Sequence, residues 1–448
     1  MEENKNLLQN FSKPQLIVMG IIIVVLLVFI GIFTGILPGL KTQKIPPPQM
    51  DLVIWGVGDE SDAFSDSLLG YSKLYPNIKA TYKKIDEATY EQELVNALAA
   101  GKGPDIFMLN NSWLPKHFDK VSAMPKEKMS INQLRLLFPE VVEKDFSWQE
   151  SIYALPLYVD TLALFYNQDL FDNYAIALPP TDWLQFKNLI PKLRRIDSGG
   201  NLQRAAAAMG GSEKNVHNAS DILSLLMLQA GSEMTDKDFT AANFTYSIKS
   251  GATGIESLDF YTNFANPNDL YYTWNENMPY SLDAFSQSKT AMIFEYASQV
   301  DILKIKNPFL KVKISPMLQP SDKEEAINYA NYYGLAVSKY TKYPEWVWDL
   351  IIYLTTDEIT AENYLTISKH PPALRTLIEK YADDPNIGVF AKQALTARSW
   401  LKPDPEKVRD IFSQMIQAVV SRKLTTYEAL GQAERAVSDL IGQINTAQ

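Results

Sequence analysis

The chain has no cysteine among its 448 residues, which excludes disulfides, Cys-ligated zinc, iron–sulfur clusters, thiol nucleophiles and a cysteine-linked lipid anchor. Histidine is almost as scarce. The three present, His117, His217 and His370, lie far apart with no H-E-x-x-H spacing, so no metal site and no cofactor is expected. Basic residues are in deficit, 42 against 52 acidic, for a net charge of −10. That balance repels nucleic acid and anionic lipid rather than recruiting them. Phosphate-cradling glycine loops are missing as well: Gly56-x-Gly58 lacks a third glycine, and Gly101-Lys102-Gly103 lacks the P-loop spacing. Small neutral or cationic ligands remain open.

What the sequence does have, first, is one long apolar run. Leu16 to Leu37 is 22 residues of Ile, Val, Leu, Phe, Met and Gly with one Thr and no charge, about 33 Å as a helix against a hydrocarbon core of about 30 Å. Cleaved secretory signals have shorter apolar cores that end in a small-x-small site. This run ends in Leu37-Pro38-Gly39-Leu40, so a retained transmembrane anchor is expected over 16–37, with residues 1–15 cytoplasmic. Lys5 and Lys13 are balanced by Lys41 and Lys44, so the charge rule does not fix orientation. A long following domain translocates regardless, which places the folded part outside the cytoplasm. Residues 38–50 carry four prolines and read as an extended tether. Residues 1–50 hold four lysines and two glutamates, which leaves 38 basic and 50 acidic residues in the remainder, an acidic domain of net charge −12.

From Asp51 on, no repeat, low-complexity run or second linker appears. The first stretch alternates strand and helix. Asp51 to Trp55 is a buried strand ending at Gly56-Val-Gly58-Asp59, and Ser61 to Tyr75 has helical spacing. Ile78 to Tyr82 is a second strand, Tyr90 to Ala100 a second helix, and Pro104 to Leu109 a third strand. The pattern implies a parallel α/β sheet, which binds ligands in the loops at the carboxyl ends of its strands. Those loops are Gly56 to Glu60 and Asn110 to Trp113.

The runs LVIWGVGDE, LYPNIKATYKK and YEQELVNALAAGKGPDIFMLNNSW resemble the opening of the extracellular solute-binding proteins of ABC importers, family 1, the maltose-binding-protein-like branch. Further blocks agree in order: IYALPLYVDTLALFYNQDLFD, LPPTDWLQFKNLIPKL, SLDAFSQSKTAMIFEYASQV, NYYGLAVSKYTKYPEWVWDLIIYLTTDE, and the tail from LTTYEAL to GQI. The similarity covers about residues 51–445. It departs at the N-terminus, where many relatives carry a cleaved signal or a lipidated cysteine.

The resemblance implies an α/β, two-lobed periplasmic-binding-protein-like fold of type II with an interlobe ligand cleft, preceded by the transmembrane helix. Lobe 1 would comprise 51–157 and 334–374, and lobe 2 would comprise 158–333 and 375–448. Crossings are expected near Leu155 to Val159, Asn331 to Val337 and Pro372. Candidate ligand-binding residues follow. Asp59 and Glu60 end the first strand loop. Asn110, Asn111 and Trp113 offer amides for hydroxyls and an indole face for the apolar side of a sugar. Tyr158 and Asp160 flank the first crossing, with Asp160 matching the family position that grips ligand hydroxyls. Glu295 and Tyr296 end an apolar strand, Asn331 and Tyr332 sit at the return crossing, and Trp400 matches a C-terminal cleft aromatic. No catalytic residue is assigned.

The function expected is a membrane-anchored extracytoplasmic receptor, a monomer, that captures a small solute, most simply a carbohydrate, and delivers it to the transmembrane subunits of an ABC permease. A glycan-active enzyme using Asp160 and Glu295 as its carboxylate pair is one alternative. A ligand sensor on the same fold is another. The cleft segments show no clustered Arg or Lys, which argues against small anions.

Overall fold

A computed structural model describes residues 13–33, 47–245, 251–323 and 325–447. The chain divides into two units, Met1–Met50 and Asp51–Gln448. In the first, Lys13–Phe33 is helical, and Ile21 to Val28 are exposed along it. Among the described residues no helix is long and apolar enough to cross a membrane. The expected 16–37 span is therefore not established, and its last four residues lie outside the described ones. Residues 1–12 and the tether up to Pro46 also lie outside the described residues.

In the second unit the alternation read from sequence forms as strand Met50–Gly56, helix Asp62–Leu74, strand Ile78–Lys84, helix Tyr90–Ala99 and strand Ile106–Asn110. Helix Tyr90–Ala99 buries Tyr90, Leu94 and Leu98, spaced four apart, against the sheet. Met50–Gly56 and Ile106–Asn110 pair in parallel. The sheet is not parallel throughout, however. Tyr333–Ser338 inserts antiparallel beside Ile106–Asn110 and pairs on its other side with Val121–Ser122 and Ala154–Pro156. A strand arriving from more than 200 residues downstream is free to choose either direction, because no tight crossover helix dictates it.

A second, five-stranded sheet has the order Val312–Ser315, Ala163–Asn167, Thr290–Glu295, Leu202–Ala207, Arg195–Ile196. Thr290–Glu295 is buried at every position, as is Ala205–Ala207 beside it. Helices such as Trp183–Leu193 and Ala219–Ala230 cover it with Trp183, Phe186, Ile190 and the Leu223 to Met227 face. Strands enclosed on both sides in this way read as continuous apolar runs.

The two sheets are joined where the chain crosses between Pro156 and Ala163, again between Tyr329 and Tyr333, and where the segment around Pro372 comes alongside. The crossings hold one another. Val159 N donates to Pro371 O at 3.2 Å, Ala373 N to Leu157 O at 3.3 Å, and Leu162 N to Tyr329 O at 2.9 Å. Three adjacent short segments of this kind form a hinge, since only a few backbone dihedrals need change for the sheets to rotate. Trp348 and Ile351 are buried in helix Pro344–Thr356, the packing role their helical spacing indicates.

Candidate ligand-binding cleft

A cavity of about 1380 Å³ opens between the strand ends of the two sheets. Its first wall starts where Ile106–Asn110 stops. Asn110 Oδ1 accepts from Ser112 N at 3.1 Å and Ser112 Oγ at 2.7 Å, an Asn-closed turn that folds the chain sharply at the strand end. Its Nδ2 donates to Asn331 Oδ1 at 2.9 Å. Trp113 then lies parallel to Tyr90 at 6.1 Å and edge-on to Tyr333 at 6.0 Å. Asn110, Asn111, Trp113 and Asn331 line the cavity.

The other predicted residues are placed behind the cavity wall or away from it. Asp59 is buried and accepts from Tyr364 Oη at 2.7 Å, with His370 Nε2 at 3.1 Å. Glu60 is exposed and pairs with Lys84 at 2.7 Å. Tyr158 stacks on His370, centroids 4.0 Å apart and planes within 10°. Asp160 accepts from Thr161 N at 2.8 Å, Ala297 N at 3.0 Å and Ser298 N at 3.2 Å. It thereby ties the first crossing to the start of helix Gln299–Lys306, and burial raises its carboxyl to about 6 against the pull of those amides. Glu295 lies beneath His217 and Asn218, Tyr296 Oη donates to Asp221 at 2.8 Å, and Tyr332 Oη donates to Asp145 at 2.8 Å. Trp400 stacks on Phe412 at 6.0 Å and donates to Ser224 Oγ at 3.3 Å. Asn111 lines the cavity but is also committed, donating to Asp145 at 3.0 Å. Burial pushes Asp145 up to about 7 although Ser399, Asn111 and Tyr332 all donate to it.

Neither Asp160 nor Glu295 lines the cavity, so the carboxylate pair proposed for glycan cleavage does not flank it. The expectation of a cleft without clustered cations is also corrected. Lys116, Lys120, Lys214, Lys402 and Arg409 line it, together with Glu87, Glu91, Glu213, Asp221, Glu406 and Asp410. Most of these cations are internally paired. Lys402 Nζ meets Asp221 at 3.2 Å and sits 5.7 Å from the Tyr329 ring and 5.6 Å from the Trp400 ring. Burial opposes its charge, but Tyr329 and Asp221 hold the ammonium above its ordinary range. On the first wall Lys116 bridges Glu91 at 2.7 Å and Asp404 at 3.2 Å, while His117 Nε2 is 2.7 Å from Glu91. Burial works against the Glu91 carboxylate, yet His117 and Lys116 bring it down to about 2.

The second wall was missed by sequence reasoning. It comes from the loop after Leu202–Ala207, a strand end hidden in the alanine run RAAAAMGG. At Gly210, φ is +100° and an added Cβ would lie 2.7 Å from Ala265 N, so only glycine fits the turn. The Gly210-Gly211 pair was the available signal. The loop delivers Glu213, Lys214, His217 and Asn218 to the cavity, beside Tyr280.

The bacterial extracellular solute-binding protein model matches residues 58–361. The chain belongs to that family. Among curated relatives of this solute-binding protein is an uncharacterised ABC transporter extracellular-binding protein of Pyrococcus horikoshii, 21% identical over 227 residues. That match spans half of each chain. The galactooligosaccharide-binding protein of Bacillus subtilis is 20% identical over 394 residues, 86% of this chain and 87% of the relative. Among solved structures, the cyclic alpha-maltosyl-1,6-maltose binding protein of Arthrobacter globiformis superposes with a TM-score of 0.73 at 16% identity, covering 89% of this chain and all of that one. At that identity the match establishes the two-lobed α/β architecture.

Proposed function

We propose that this solute-binding protein is a receptor that captures an oligosaccharide by closing lobe 1 (51–157 and 334–374) on lobe 2 (158–333 and 375–448), and passes it to an ABC permease. One observation carries the reading: a cavity of about 1380 Å³ at the strand ends of two sheets, edged by the Asn110 and Asn331 amides and by Trp113, Tyr280, Tyr329 and Tyr333. Amides donate to and accept from sugar hydroxyls, and aromatic faces cover the apolar faces of pyranose rings. The volume exceeds the roughly 300–1,000 Å³ usual for small-molecule pockets, which favours several sugar units over one. The names of two relatives, which bind a galactooligosaccharide and a cyclic maltosyl-maltose, support the same class. The uncharged 22-residue run Leu16 to Leu37 supports attachment to the membrane by the chain itself, in place of the absent lipidated cysteine.

The test is a thermal-shift screen of the full-length chain in detergent against galacto-, malto- and other neutral oligosaccharides, peptides and polyamines. An oligosaccharide at 100 times its Kd should stabilise the fold by about 2.7 kcal/mol. A rise in midpoint with a peptide or amine, and with no saccharide, refutes the ligand class.

A further inference from the structure

Beneath the second wall, the carboxylate of Glu295 has no exposed surface. Its donors are His217 Nδ1, 3.0 and 2.9 Å from its two oxygens, and Asn218 Nδ2 at 2.8 Å. His217 is its only ion-pair partner among the described residues. An ionised carboxylate can only accept, so Nδ1 carries a proton in this arrangement. The backbone and the ring are each fixed further. The backbone N of His217 donates to Ser281 Oγ at 2.9 Å, and the Tyr280 ring lies 6.0 Å from the imidazole. Asn218 adopts the left-handed conformation, φ 59°, which asparagine accepts more readily than most non-glycine residues, and its amide reaches Glu295. His217 Nε2 has no protein partner among the described residues, and the residue lines the cavity with about a quarter of its side chain exposed.

We propose that His217 Nε2 is a direct ligand contact of the cleft, with Glu295 as the positioning residue that fixes the ring and keeps its second proton, so that the contact donates while the imidazole is charged and reverses to an acceptor when it is not. This deepens the receptor reading and rests on it. The carboxylates around the ring favour the imidazolium: Glu295 below it, Glu213 on its own loop and Asp221 on helix Ala219–Ala230. Lys214 on the same loop and Arg409 on the cavity lining oppose it, and the Tyr280 phenol lies beside the ring. Burial opposes charge on His217, but Glu295, then Glu213 and Asp221, raise it above the usual imidazole range. Deprotonation removes both the positive charge and the donor at Nε2. Affinity for a ligand that presents an oxygen acceptor there therefore falls as pH rises through the raised value.

With only three histidines in the chain, ring-labelled histidine NMR of the full-length protein in detergent resolves the pair directly, His217 being assigned by its loss in His217→Gln. In the ligand-free chain His217 should titrate above the free imidazole, and Glu295→Gln should bring it back down. Calorimetry with a galactooligosaccharide or maltooligosaccharide that raises the melting midpoint gives the second readout. Wild-type affinity should drop about tenfold as pH rises from 6 to 9 through the raised His217 value and then level off, the size expected for one lost charge-assisted hydrogen bond. His217→Gln should bind about tenfold more weakly at pH 6 with a flat profile, which separates His217 from the hinge histidine His370. Unchanged affinity in a His217→Gln protein that melts like wild type overturns the contact. A His217 titration unmoved by Glu295→Gln overturns the positioning role even if no saccharide binds, in which case the ligand class fails separately.

Discussion

Asp160→Asn tests how the hinge is held. In the folded protein Asp160 is almost fully buried, and its carboxyl lies near 6 rather than 3.8. At about 1.4 kcal/mol per pH unit, that difference corresponds to about 3 kcal/mol. The sign follows from proton binding. Between about pH 4 and pH 6 the folded state holds the proton and the unfolded state has lost it, so stability falls as pH rises and the deficit is complete above pH 6. Asparagine is neutral at every pH, and its carbonyl can still accept from Thr161 N and Ala297 N, both of which bond Oδ1 in the wild type. Asp160→Asn should match wild type near pH 4 and exceed it by about 3 kcal/mol at pH 7. Urea unfolding of both proteins from pH 4 to pH 8 reads this directly. A difference that stays constant with pH, or that grows in favour of wild type, would refute the burial argument. Asp160→Ala behaves differently, because three amide donors lose their acceptor at about 1 kcal/mol each. Any loss of ligand affinity in that variant is then expected to come from a displaced start of Gln299–Lys306 rather than from a missing ligand contact.

Lys402→Met should cost about 3 kcal/mol, because Asp221 keeps only Tyr296 Oη and remains a buried unpaired charge; adding Asp221→Asn should recover most of it, and a simple sum of the two losses in denaturant titration would contradict the pairing. Asp59→Asn removes the partner that raises His370 above its ordinary 6.5 against the effect of burial. Wild type should therefore hold its full stability below about pH 6.5 and lose it as pH climbs through the raised value, while the variant stays level; parallel melting curves from pH 6 to pH 9 would exclude the coupling. Gly210→Ala forces a Cβ into positive φ and to within 2.7 Å of Ala265 N, a loss of about 1–3 kcal/mol, with a wild-type midpoint as the contrary result.

The first three strands and the two helices between them were legible because their apolar runs are short, β-branched or periodic, and Gly and Pro punctuate them. The strand Leu202–Ala207 was not, since its three successive alanines have no strand preference of their own and become a strand only by lying parallel to Thr290–Glu295. The same lapse hid the loop that carries Glu213 and His217. On the first wall, Asn110, Asn111 and Trp113 were found because a strand end in an α/β sheet fixes where such side chains emerge. Asp160, Glu295 and Tyr296 were chosen by analogous logic but lie behind the cavity wall, bonded to the residues that form it or hold it. Which side of a strand end faces the cleft depends on packing that no local pattern records. Ion pairs were invisible for a further reason: Lys402 and Asp221 are 181 positions apart.

The cleft can carry eleven charged lining residues and still suit a neutral solute because its most buried charges neutralise one another before a ligand arrives. Lys402 lies against Asp221, and Lys116 lies between Glu91 and Asp404, so neither ammonium demands an anion from outside. Such pairs orient the aromatic rings beside them, as Lys402 does between Tyr329 and Trp400, and leave hydroxyl recognition to groups with spare hydrogen-bonding capacity. Among the amides, Asn331 keeps its own Nδ2 donor without a protein partner among the described residues after accepting from Asn110. On the opposite wall His217 keeps Nε2. A sugar reaching from His217 to Asn110 and Trp113 on the first wall would contact both lobes at once, which is the condition for a ligand to favour the closed state over the open one.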